Sequence, residues 1–147
     1  DLTKWESIRI ANMVPSGKID LTFNRSLMLE ANLDLFSAVD FQKGCYIGQE
    51  VTARTKYRGL VKKKIVPVSS AAFLEKDKPI FQEGKKIGSC SSTVKLDDGR
   101  FLALATIKIE ALKANIEKKI EFKSDTGSVR VELPSWYRTD ALLKRDN

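Results

Sequence analysis

From Val61 onward the chain breaks into short β-rich runs separated by turn signals, and this limits its fold more than any other feature. The runs are Lys64 to Val68, Pro79 to Phe81, Lys86 to Val94, Phe101 to Ile109, Lys119 to Lys123 and Ser128 to Leu133. Glu83-Gly84, Asp97-Asp98-Gly99 and Asp125-Thr126-Gly127 supply residues that tolerate the tight backbone of a turn. Only Ile109 to Glu117 interrupts the pattern, and it predicts a short helix. Six short strands at this spacing predict a small antiparallel barrel over 61–147. The fold class expected is therefore α+β, mainly β, with helices ahead of a six-stranded barrel.

The first 60 residues have a different character. Thr3-Lys4-Trp5-Glu6 fits a capping box and predicts a helix at the start. A second helix is predicted from Gln49 to Arg58. Gln49 and Glu50 stand at the end that favours negative charge, and Arg54, Lys56 and Arg58 toward the end that favours positive charge.

Just ahead of that helix lies Lys43-Gly44-Cys45-Tyr46-Ile47-Gly48-Gln49-Glu50. A thiol at a helix N-terminus beside a lysine is expected to have a lowered pKa, because unpaired backbone N–H groups and the Lys43 ammonium favour thiolate. Cys45 and Lys43 are thus the candidate catalytic pair. Gly44 and Gly48 would allow a sharp turn and the close approach of a ligand. The alternative is that Cys45 is a small apolar residue and the glycines only shape the loop.

The octet, with Ala53-Arg54 and Arg58-Gly59 after it, resembles the signature of the YgfZ-type folate-binding proteins. These are relatives of the glycine-cleavage T-protein and are implicated in the maturation of iron–sulfur enzymes. Upstream, Trp5-Glu6-Ser7-Ile8-Arg9-Ile10, Val14-Pro15 and Leu29-Glu30-Ala31-Asn32-Leu33 are similar to the same family's approach to the signature, and Lys62-Lys63-Lys64-Ile65 to its entry into the last domain. The details resemble the mitochondrial and alpha-proteobacterial branch. Full members are about twice as long. The resemblance therefore implies the end of a ferredoxin-like central folate-binding domain in 1–60 and a C-terminal barrel domain in 61–147. It also implies tetrahydrofolate as cofactor, with Arg9, Tyr46, Gly48, Gln49, Glu50 and Arg54 beside it. One departure stands out: Ala11 occupies the place of a glutamate that can bond the pterin ring, and alanine cannot accept a hydrogen bond. Asn12 and Met13 likewise replace a glycine and an isoleucine.

Composition narrows the function classes. Hydrophobic residues make up 42% and charged residues 31%, and no run approaches the roughly 20 apolar residues of a membrane span. Two cysteines fit a reducing compartment, and the resemblance implies the bacterial cytoplasm or the mitochondrial matrix. With no histidine they cannot form a complete zinc or cluster site, so any metal needs outside ligands. Cys90, inside a predicted strand, is expected to be structural. Of the net charge of +7, six units arise between Val51 and Leu74, where Arg54, Lys56, Arg58, Lys62, Lys63 and Lys64 meet no acidic residue. That window is either a field for an anionic partner or a solvated helix end and a lysine-blunted edge strand. Trp136-Tyr137-Arg138 is expected to pack rather than to stack on a ligand.

Three functions remain. The first is an assembly factor that uses Cys45 with iron–sulfur assembly or carrier proteins. The second is a tetrahydrofolate-dependent aminomethyltransferase. The third, a nucleic-acid-binding barrel, is disfavoured because the strands lack interleaved aromatic and basic positions.

Overall fold

The computed structural model describes residues 1–23 and 25–143. Helices α1 (Leu2–Ala11) and α2 (Gln49–Tyr57) come first, joined by a long stretch of turns. The strands follow: β1 (Lys63–Ser70), β2 (Pro79–Gln82), β3 (Lys85–Lys95) and β4 (Phe101–Lys108). Helix α3 (Ile109–Lys118) precedes β5 (Phe122–Ser124) and β6 (Gly127–Val131), and α4 (Thr139–Leu143) ends the described chain. The strands close into a barrel in the order β1-β4-β3-β2-β5-β6, every neighbouring pair antiparallel. No described helix is long and apolar enough to cross a membrane.

The barrel forms because its long strands carry apolar residues on both faces. In β1 everything from Lys64 to Ser70 is buried, and Leu102 to Ala105 are buried in β4. One face fills the barrel. There Val66 stands opposite Ala105 and Val68 opposite Ala103, so a large residue meets a small one and the narrow interior is filled. The other face meets an outer layer, in which Ile10 of α1 and Ala31 pack on Ile65, Val94, Leu102 and Leu104. Helix α1 is thereby fixed across β3 and β4.

The barrel depends on one close approach. Gly88 pairs with both Ile80 and Ile107, and a Cβ placed there would lie 2.0 Å from the Thr106 carbonyl oxygen and 2.8 Å from Ile107 Cδ1. Backbone cannot yield as a side-chain tip can. Gly88→Ala should therefore cost about 3 kcal/mol or more in urea denaturation. Gly44→Ala, where nothing lies within 4 Å, should change stability by less than about 0.5 kcal/mol.

Several expectations need correction. The first helix is capped by Asp1, whose carboxylate accepts from the Thr3 N–H at 2.9 Å, so Thr3 lies inside α1 and the capping box does not form. Strand β5 starts at Phe122 instead of Lys119, because Lys119 takes a left-handed conformation (φ 57°) that closes α3. Strand β1 lies between β4 and β6 and so is not an edge. Helix α4, a few residues after Pro134, was not among the elements expected from the sequence.

Candidate functional site

The loop that carries Cys45 is tied to itself. Asp40 Oδ1 accepts from the Gln42 and Lys43 N–H groups at 2.8 and 3.2 Å, which turns the chain at its entry. Gln49 then reaches back twice, its backbone N–H to the Tyr46 carbonyl at 3.1 Å and its Nε2 to the Lys43 carbonyl at 3.3 Å. Gly48 makes the exit with φ 86°, a conformation that costs other residues strain, and serves as the N-cap of α2 without a side-chain cap. Cys45 therefore sits exposed at the tip of a closed loop, immediately before a helix start.

The neighbouring side chains are paired within the loop and α2. Lys43 Nζ lies 4.7 Å from the centre of the Tyr46 ring, a cation–π contact that holds both over the loop. Glu50 and Arg54 form an ion pair one helical turn apart. Because both are exposed, that pair adds little stability and mainly occupies each group with the other. Helix α2 buries none of its residues. Its ties to the rest are Lys56 Nζ, 3.4 Å from Asp34 Oδ2 and 4.2 Å from the centre of the Phe41 ring, and the Phe41–Tyr57 contact at 6.2 Å. Ile47 and Val51 project from the same region, fully and largely exposed.

Arg9 belongs to a different network. Its five N–H groups go to Glu6 (from Nε and Nη2), the Val14 carbonyl, Asp20 and Ser92. Asp20 completes the cluster by accepting from the Ser16 N–H at 2.7 Å and from the Ser92 N–H and hydroxyl at 2.8 and 2.5 Å. Burial pushes the Asp20 carboxyl up, but bonds from Ser16 and Ser92 outweigh it and leave it below the usual range. Burial lowers the Arg9 guanidinium, and its bonds to Glu6 and Asp20 together raise it further. Arg9 thus fastens α1 to β3 and has no N–H left for a ligand.

Ala11 packs against the outer apolar layer and offers a pterin no acceptor. The basic window also divides. Lys62 and Lys63 are exposed, but Lys64 is buried, with Nζ 2.7 Å from the Leu29 carbonyl and 3.5 Å from Asp34 Oδ1. A solvated run of three lysines is therefore not what forms. Cys90 is buried between β3 and β4, and burial together with the charge of Asp125 pushes its thiol up to about 12, so it stays protonated and inert. Trp136 donates to Asn12 Oδ1 at 3.1 Å and packs against Phe36 and Tyr137.

Two residues to which the sequence reading gave no role hold the site in place. Asn32, fully buried with φ 66°, donates from Nδ2 to the Ile65 carbonyl at 2.8 Å and the Met13 carbonyl at 3.3 Å, clamping the turn after α1 to β1. Asp34 joins Lys56 of α2 to Lys64 of the barrel.

No family model matches the chain. Among curated proteins, it is 32% identical to the mouse protein named iron-sulfur cluster assembly factor IBA57, mitochondrial, over 96% of this chain and 40% of that one. Against the Yarrowia lipolytica homologue the identity is 30%, over 96% of this chain and 31% of the relative. The Mycosarcoma maydis homologue is 56% identical over 61 residues, 42% of this chain and 15% of the relative. The chain spans well under half the length of each of these relatives. Over nearly its whole length the chain is thus similar to part of the proteins named iron–sulfur cluster assembly factor IBA57, in line with the resemblance that the octet around Cys45 carries.

Proposed function

We propose that the chain is the thiol-bearing part of a mitochondrial iron–sulfur cluster assembly protein, in which Cys45 supplies one sulfur to a cluster shared with a partner. The observation that carries this is the placement of Cys45, exposed at the tip of a self-tied loop that leads into a helix with no fully buried residue. Such a thiol is open to a second macromolecule while its backbone is held. With two cysteines and no histidine, the remaining ligands come from outside this chain: the rest of the protein, an assembly or carrier protein, or a small thiol. The names of the relatives support the assembly role and the mitochondrial location.

Tetrahydrofolate is not needed for this reading. Of the residues expected around it, Arg9 has all its donors engaged, Ala11 faces an apolar layer, and Glu50 and Arg54 neutralise each other. That these groups are engaged elsewhere favours the assembly reading over the alternative, a folate-dependent aminomethyltransferase.

The test is genetic rescue. In cells lacking their own member of the family, the full-length gene should restore enzymes that need [4Fe–4S] clusters, and Cys45→Ser should restore none, although it folds normally. Full rescue by Cys45→Ser would remove the thiol from the mechanism.

A further inference from the structure

At the end of the barrel next to α2, a groove of about 400 Å³ is lined by Lys62, Lys63, Lys108 and Lys113, with Val61 and Ile109 beneath them and Glu110 on the rim. Gly59, just beyond the end of α2, forms one wall. The four lysines come from the linker ahead of β1, from β1, from the end of β4 and from α3. Only the fold brings them together.

Their arrangement is unfavourable in the isolated chain. Lys63 and Lys108 are direct cross-strand partners in the antiparallel pairing of β1 with β4, and both are exposed. Like charges directly opposite destabilise a sheet. Among the described residues, no carboxylate pairs with Lys62, Lys63 or Lys108. The N-terminus of α3 opens at the same place with Lys108 as an N-cap that makes no side-chain bond, adding to the positive field.

We infer that this groove docks an acidic segment of a partner protein, its carboxylates on Lys62, Lys63 and Lys108. Charge complementarity sets the sign of the partner. The lining selects a peptide over nucleic acid, since it has no aromatic ring to stack a base and no arginine fork, while Glu110 repels a continuous phosphate backbone. A peptide can also turn a backbone N–H toward Glu110. The inference does not depend on Cys45.

Fluorescence anisotropy tests it, with a fluorescein-labelled peptide of alternating Glu and Leu, the same peptide with Gln for Glu, and a single-stranded oligonucleotide. The acidic peptide should bind, more weakly at high salt, and the Gln peptide should not. Lys63→Gln with Lys108→Gln should weaken binding about tenfold and raise the melting temperature, since repulsion is relieved. Lys95→Gln, at the other end of β3–β4, should leave binding unchanged. Equal binding by the double variant, equal binding of the Gln peptide, a melting temperature that does not rise, or preference for the oligonucleotide would each overturn the inference. Rescue by Cys45→Ser bears on the thiol alone, so failure of the two readings can be told apart.

Discussion

Arg9→Ala should lower the unfolding free energy by about 3–5 kcal/mol, because it leaves the Asp20 carboxylate charged and buried without its cation. The side chain of Asp20 is fully buried and that of Arg9 nearly so, which places this pair among those whose rupture costs far more than their formation gains. Three bonds from Ser16 and Ser92 remain on Asp20, and they keep the loss from growing larger. Urea denaturation measures it, and a cost near that of an exposed pair, under about 1 kcal/mol, would show that the network does not hold α1 on the barrel. Acid gives a second reading. The folded-state pKa of Asp20 is depressed, so its contribution is complete above the unfolded value of about 3.9 and is lost as pH falls through the lower folded value. The wild type should lose stability across that acid window, and Asp20→Asn should lose less there while starting from a lower level.

The barrel was legible in the sequence because its signal is local. Alternation in β3 and the near-continuous apolar runs of β1 and β4 state how many faces each strand buries, and the Asp-Gly turns say where it ends. The loop around Cys45 was legible for the same reason, since Gly48 and Gln49 act within a few residues of the thiol. What could not be read was pairing at a distance. Arg9 was expected beside a ligand from the resemblance alone, and its network could not be read, because Ser92 lies 83 residues away and Asp20 stands among turn residues with nothing to mark it. Capping was misread for a smaller reason: Thr3 and Asp1 are both good caps, and the helix began two residues earlier.

Lys62, Lys63 and Lys64 are identical in sequence and should respond differently to charge reversal. Lys64→Glu should cost about 3–5 kcal/mol, since a carboxylate would replace the ammonium beside the Leu29 carbonyl and within reach of Asp34, with both side chains under a tenth exposed. Lys62→Glu should change stability by no more than about 0.5 kcal/mol, because that side chain is exposed. The difference follows from register. Lys63 leaves the barrel as β1 begins, and the next residue turns under the roof formed by Leu29 and Asp34. Since Asp34 also holds Lys56, loss of Lys64 should loosen α2 and the loop that carries Cys45. Hydrogen exchange in Gln49–Tyr57 should therefore quicken in Lys64→Met, a variant that keeps an apolar stem of similar length. If Lys64→Glu proves no more costly than Lys62→Glu, or if α2 exchanges at the wild-type rate in Lys64→Met, then Asp34 does not tie the thiol-bearing segment to the barrel.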